Sequence, residues 1–535
     1  MPLPTPRSSG PTRRVLLVAA GLMGGATSAT AQFSPWATFP LQYVDARVLP
    51  AGALRIGFLP SYANYDERFL SDGTVEALGA GLTTDTAGAN LLPTLTGAEQ
   101  AVRDVTGDST YRMTLGGMQT LLDADVRRIP LDLALGLTSW LTVTARVSLV
   151  KTRMQAFVAL DSTQGNVGWN QLTSQADNAT GAAQITTLMT QLAAAVQTLQ
   201  DQINSGAHGC PGTPSCTAAS DALSRASALL ARLSALTGAT SPVAPLSTSP
   251  AGLALTPAVS SVLAELAGLC LCTIGGALVL PTKTLTGSDF QTLISAAELG
   301  HGLSPIATTD ISRIGDTEVG VRIGVVQRPT LRLALHGTAR LPTASRDSLT
   351  HALDLGTGDR QLDAALGVEA AFEARGGLGL SVGATLTRQF ADNVTLRLPR
   401  GWVLPLSAEG PFRRDLGDVI QASAYPSLRL SSAFQVFGSL YYYRKSGDTY
   451  DYLGPSIPEQ PALTTESPER SLHLGAGIHY RADRTGTGTV KLPVEAGLSY
   501  QAAFRGSGRM TPKTTILNLY LRLYYRVFGP SPPAD

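Results

Sequence analysis

The chain is short of charge. Asp, Glu, Lys and Arg make up 15% of its 535 residues, well below the quarter usual in soluble domains. Lys plus Arg (41) nearly balance Asp plus Glu (40), so the net charge is +1 and no basic footprint for nucleic acid is expected. Aromatics are scarce at 6%, which is low for a protein that meets lipid. No apolar run is long enough for a convincing membrane helix near the N-terminus, where Val15 to Ala26 is short and Gly-rich. Four cysteines are too few for a disulfide scaffold. Cys210 and Cys216 flank Pro-Gly-Thr-Pro-Ser, a spacing that predicts a disulfide in an exported chain. Cys270 and Cys272 enclose only Leu271; a bridge there would be strained, and their state stays open. No His or second Cys pair nearby suggests a metal. There is no phosphate-binding loop and no H-E-x-x-H motif, so no cofactor is implied. Glycine, by contrast, is plentiful at 54 residues.

Residues 1–31 have the layout of an export signal. Arg7, Arg13 and Arg14 precede the short apolar run, and Ala29-Thr30-Ala31 is an A-x-A cleavage site. Cleavage near Ala31 would release a chain destined for the outer membrane of a Gram-negative-type cell.

The body of the chain alternates. In Thr514 to Phe528, Leu517, Leu519, Leu521, Leu523 and Val527 share one parity, while Asn518, Tyr520, Arg522, Tyr524 and Arg526 share the other. Strand side chains alternate between faces, so one face is apolar and the other polar. Twelve segments show this pattern. Connections after the second, fourth, sixth and eighth are short, and that after the tenth is moderately longer. Those after the first, third, fifth, seventh and ninth are long. An even strand number with alternating connection lengths predicts an all-β chain, a transmembrane antiparallel barrel of about twelve strands. Strands 1–3 fall within 32–158 and strands 4–12 within 314–528, with a periplasmic tail at 529–535. A soluble β-sandwich predicts no such phase.

Residues 159–313 break the pattern. Ile185, Leu188, Leu192, Val196, Leu199 and Ile203 have helical spacing, as do Leu223, Ala226, Leu229, Leu230, Leu233 and Leu236. An αα-hairpin with a clamped turn follows. Thr240 to Thr256 is a Ser/Thr/Pro linker, and a third apolar helix is expected from Ala258 to about Thr273. This mainly helical insertion in the second extracellular loop can pack as a bland third helix, span a membrane, or act as a lid or plug. Loops this long usually serve a function.

Gly379-Leu380-Ser381-Val382-Gly383 matches G-x-S-x-G but lies within a strand, not at a strand–turn–helix elbow. No enzyme is expected from it. The candidates are instead the inward parity, as pore-lining residues: Arg55, Asp132, Arg146, Glu318, Arg322, Arg332, His336, Arg340, Asp363, Glu369, Arg429, His473, His479, Arg481, Glu495, Arg522 and Arg526. They either pair across strands and fill a narrow barrel or line a polar, selective pathway.

Arg128 to Leu149 and Asp354 to Thr387 carry a G-L-T-x-x-L turn (Gly136 to Leu141) and a G-T-G-D loop (Gly356 to Asp359). In these the chain resembles FadL-like outer-membrane transporters of the meta-pathway phenol-degradation group. The resemblance implies passage of small, often hydrophobic or aromatic solutes and no catalytic residue. The Ala-rich insertion departs from that pattern. Expected partners are outer-membrane lipid and lipopolysaccharide, the barrel-insertion machinery and a small solute, but no nucleic acid; the oligomer is left open. The competing readings are a structural or adhesive barrel displaying the insertion and, more remotely, an outer-membrane lipid hydrolase.

Overall fold

The computed structural model describes residues 46–173, 179–238, 241–297, 301–346, 348–397, 409–455, 467–482, 494–508 and 511–528. The expected signal (1–31), the tail (529–535) and most of the connection after the tenth strand lie outside the described residues.

A closed antiparallel barrel of twelve staves forms the frame. Its strands are β1 (Ala53–Phe58, continued by Ser61–Tyr65), β2 (Gly117–Gly136), β3 (Leu141–Asp161), β4 (Thr317–Gln327), β5 (Leu331–Leu341) and β6 (Asp363–Glu373). Then follow β7 (Leu378–Gln389), β8 (Val419–Arg429), β9 (Phe434–Lys445), β10 (Glu469–Arg481), β11 (Val494–Ser507) and β12 (Thr515–Arg526). Each pairs with its sequence neighbours, and β1 closes on β12 through pairs such as Leu54–Tyr525 and Phe58–Leu521. Closure leaves no edge for lipid to meet. The first stave is broken at Leu59-Pro60. The fourth has an upper segment, Thr309–Ile314, that also pairs with β3.

The predicted apolar parity faces outward. Leu366 is 72% exposed, and Leu335, Val382, Leu474, Leu498 and Leu519 lie in the same belt. Eleven-residue strands such as β4, β5 and β6 run about 37 Å and, tilted about 40°, stand about 28 Å tall, enough for the apolar band. Tight turns gather at one rim. Ala374 N–H donates to the Leu378 carbonyl at 2.8 Å, with Gly376 and Gly377 both at positive φ. The loop from Arg375 to Gly377 needs glycine at both positive-φ positions, where a Cβ would be strained.

β2 and β3, at 20 and 21 residues, overshoot the other strands by about 30 Å. Their inner upper face carries Ala124, Val126, Val150 and Met154. These join one buried cluster with helices α1 (Leu95–Thr106), α2 (Ala179–Asn204), α3 (Pro214–Thr237), α4 (Pro250–Cys270) and α5 (Gly287–Ser295). α1 belongs to the first long connection and was not expected from its sequence. Cys210 and Cys216 are bonded, with Cα atoms 5.0 Å apart, clamping the α2–α3 turn.

The third helix differs from expectation. It starts at Pro250, inside the expected Ser/Thr/Pro linker, because Ser249 caps it: its side chain accepts from Gly252 N–H, and Pro250 sits at the first turn. It ends where Leu271 takes φ 52°. That left-handed turn brings Cys272 back to within 5.2 Å (Cα–Cα) of Cys270, and the two are bonded. α5 is held by a capping box between Thr286 and Asp289. Burial opposes the charge on Asp289, but hydrogen bonds from Thr286 and Trp169 outweigh it and hold the carboxyl below its usual range.

Candidate functional site

The barrel interior is built from two unlike walls. Along β1 to β6 it is charged. Asp132 on β2 lies between Arg55 on β1 (2.9 Å) and Arg146 on β3 (3.2 Å). Arg146 continues to Glu318 on β4 (3.0 Å), which also holds Arg128 (3.0 Å). Farther round, Arg322 reaches Glu369 at 3.0 Å, and Arg340 is bound to Asp363. The partners in each pair come from different strands, so strand pairing from β1 to β6 assembles the chain of charges. Such pairs lose hydration on burial and depend on their mutual geometry.

Thr385 Oγ1 lies 3.2 Å from His336 Nε2, and His336 Nδ1 lies 3.4 Å from Glu369. Hydroxyl, imidazole and carboxylate stand in the order that nucleophilic hydrolases use. Here Glu369 shares its charge with Arg322. The strand ladder also consumes backbone N–H groups that an oxyanion hole would need. These residues come from β5, β6 and β7, so no local motif announces them.

Along β8 to β12 the interior is aromatic. Tyr425 meets Phe437 edge-on (centroids 6.0 Å), Tyr441 meets His473 at 5.6 Å, and His479 stacks with Tyr520 at 5.8 Å. Tyr441 accepts from Gln421 Nε2 at 3.0 Å, and Tyr443 is fully buried beside it. Glycine makes the room. A Cβ on Gly477 would lie 2.4 Å from the Phe437 ring, and one on Gly497 would lie 2.3 Å from the Tyr520 ring. Inward glycines beneath large rings fit a small, filled barrel. This wall was not foreseen, because Tyr441, Tyr442 and Tyr443 are consecutive and hide the alternation of β9.

The expected inward residues are therefore divided. Arg55, Asp132, Arg146, Glu318, Arg322, His336, Arg340, Asp363, Glu369 and Arg522 surround a cavity of about 300 Å³, the lower end of the usual range for ligand pockets. His473 and His479 are packed into the aromatic wall instead. Glu495 is buried against Arg522 (3.5 Å) and Arg481 (3.8 Å). Arg332 and Arg429 share Glu373, at 2.8 and 2.7 Å, on the short-turn side. Arg526 is exposed and donates to the Phe528 carbonyl at 3.4 Å, so it contributes nothing to the cavity lining.

Both mouths are obstructed. At the short-turn rim, residues 46–52 cross the interior. Ala46 is fully buried against Ala334 and Ala371. Gln327 Nε2 donates to the Ala46 carbonyl (3.1 Å), Arg322 to the Arg47 carbonyl (3.3 Å), and Leu49 N–H to Thr142 Oγ1 (2.9 Å). At the long-loop rim, the loop between β5 and β6 folds inward. Thr152 donates to the Leu355 carbonyl at 2.7 Å, and Thr357 and Gly358 line the cavity. The insertion is tied to a small three-stranded sheet on the same rim through Arg397, which donates to the Gly302 carbonyl at 2.8 Å.

No protein-family model matches the chain, and no curated protein matches it. Solved structures do. An outer membrane channel from Pseudomonas putida F1 is similar at 8% identity and TM-score 0.41, over 91% of this chain and 100% of that one. A Pseudomonas aeruginosa FadL homologue is similar at 10% and 0.29, over 94% and 99%. The transport unit of the Escherichia coli autotransporter AIDA-I gives 7% and 0.29, over 91% and 94%. At these values the likeness carries no argument about solute or mechanism, which rest on the geometry above. The fold itself is plain: this chain is a closed twelve-stranded β-barrel of the outer-membrane type.

Proposed function

We propose that the protein is a passive outer-membrane channel for small hydrophobic or aromatic solutes, with its long loops outside the cell. The observation that carries this is a cavity of about 300 Å³ inside the closed barrel, lined mainly by the charged residues of β1 to β6, with the aromatic wall of β8 to β12 packed beside it rather than lining it. Aromatic rings offer flat apolar contact with edge and face preferences, so an apolar solute that parts the packed rings of β8 to β12 would travel on that side, away from the charged wall. Of the seventeen inward candidates, the ten that line the cavity set the electrostatic path, while His473 and His479 are buried in the aromatic wall. Residues 46–52 act as a stopper at the periplasmic mouth, held mainly by backbone hydrogen bonds that can be exchanged for water. The helical insertion with the β5–β6 loop acts as the outer lid.

The test is solute uptake into liposomes containing the refolded mature chain. Phenol-sized aromatics should enter faster than sugars of similar volume, and removing residues 46–50 should raise the flux of both. A barrel that is silent to both classes, with and without the stopper, would sink the proposal.

A second reading is favoured by the apolar cluster that the helices share with the long upper ends of β2 and β3. The barrel then displays the insertion for adhesion. Deleting about 170–300 would abolish cell-surface attachment and leave permeability unchanged under that reading. The channel reading expects permeability to rise.

A further inference from the structure

Charges on the outer face gather toward its long-loop end, as Arg127 opposite Lys151 on β2 and β3, Arg388 on β7, and a cluster on β9, β10 and β11. There Arg444 and Arg470 stand directly opposite each other in the ladder, both outward and exposed. Directly opposed like charges destabilise a strand pair. A third arginine is brought to them by an irregularity. The β10–β11 register shifts between Leu472 and His473, so Leu472 faces Arg505 while His473 faces Ala503. The extra residue leaves Phe504 and Arg505 both exposed on the outer face, with Arg505 over the Phe504 ring at 6.0 Å. Bulges commonly re-aim a side chain in this way. Without the shift, Arg505 would point into the barrel.

No ion pair compensates these three among the described residues. The neighbouring acids on the same strands point inward: Glu469 is buried and committed to Lys445. The contrast lies two strands away. Arg388, the outward arginine at the end of β7, is paired with Asp418 (2.9 Å) and Asp415 (3.5 Å). Beneath the three arginines, the same columns continue as Tyr442 with Leu472 and Leu440 with Leu474. Cations over an apolar belt match an amphiphile, with its head at the arginines and its chains along the leucines. Guanidinium forks fit phosphate oxygens by paired hydrogen bonds.

We propose that Arg444, Arg470 and Arg505 form a binding site for the phosphorylated glycolipid of the outer leaflet, lipid A, through its phosphates. This rests on the orientation proposed above, with the long loops outside. A soluble phosphate ion or an anionic glycerophospholipid is the competing occupant.

The test uses the refolded mature chain in detergent, with lipid retained after washing read by native mass spectrometry. Wild type should retain lipid A about tenfold better than the R444Q/R470Q/R505Q variant, three charge-assisted contacts being lost together. R388Q should behave as wild type. Dephosphorylated lipid A and phosphatidylglycerol should not be retained, and inorganic phosphate should not compete. Heat-modifiable gel mobility checks folding, and Arg470→Gln alone serves if the triple variant does not fold. Equal retention by wild type and variant would overturn the site, as would retention of phosphatidylglycerol or dephosphorylated lipid A to the same extent. Competition by inorganic phosphate would make it a soluble-anion site. Orientation is checked separately by labelling Ser261→Cys on intact cells. Labelling without lipid A retention sinks only this site, whereas no labelling sinks the orientation and the channel reading with it.

Discussion

The two halves of the barrel interior make the same staves and fill them by opposite means. From β1 to β6 the inward positions carry paired charges, as in Arg55–Asp132–Arg146. From β8 to β12 they carry chiefly rings seated over glycines, as in Phe437 over Gly477, with the Glu495–Arg522 and Lys445–Glu469 pairs among them. β7 separates them with the hydroxyls of Ser381, Thr385 and Thr387. The difference lies in what each wall tolerates. A buried ion pair survives only while both partners are present, because a lone buried charge is far costlier than the pair. A ring on a glycine depends on volume instead, and fails when something is added rather than removed. One wall is broken by deletion, the other by insertion.

This gives four ways to break or sharpen the contrast. Asp132→Ala leaves Arg55 without its carboxylate and Arg146 with Glu318 alone, and should cost about 3–5 kcal/mol, read as a shift in the urea midpoint of barrel unfolding in micelles. Restoring neutrality with Arg55→Met and Arg146→Met in the same chain should recover most of that loss; no recovery would mean that packing, not charge, governs the wall. Gly497→Val pushes a side chain into Tyr520 and should cost about 1–3 kcal/mol by the same measurement. Gly497→Val with Tyr520→Ala should relieve it, and an unrelieved double variant would break the volume argument. Tyr441→Phe removes only the hydrogen bond from Gln421 and should cost about 1 kcal/mol, with aromatic solute flux kept; lost flux would make the hydroxyl part of the path. Arg429→Gln, at the exposed rim with Glu373, should fall within about 0–1 kcal/mol, and a larger effect would mean the charged wall extends to the short-turn rim.

The frame was legible because lipid inverts the usual rule. Its apolar residues lie outside, so one uninterrupted parity marks each stave, as in Leu517 to Leu523, and connection lengths supply the phase independently. The charged wall was legible for the same reason, since charge is costly on the lipid face. The aromatic wall was not, because rings serve on both faces: Tyr442 points out while Tyr441 and Tyr443 point in. The stopper at residues 46–52 was hidden as well. Its contacts are mostly backbone carbonyls and N–H groups, which every residue has, so no composition signals them. α4 began early because Ser249 and Pro250 look like linker residues and serve equally as a cap and first turn. The bridge at Cys270 and Cys272 depends on the left-handed turn at Leu271, which nothing in Cys-Leu-Cys announces.

The join of β1 to β12 has a consequence for assembly. The strands that seal the wall are the first and last to be made, so the contact that removes both open edges is also the contact with the greatest separation along the chain. Such contacts form late because a long loop must be closed first. Until Leu54 meets Tyr525, the sheet exposes two unpaired edges to whatever is nearby, although Asp132 already joins Arg55 and Arg146 across neighbouring strands. Closure is therefore a late event that completes the hydrogen-bond ladder around interior charges already paired between β1 and β6. A chaperone that shields the strand edges before insertion would protect the same residues that later become the seam.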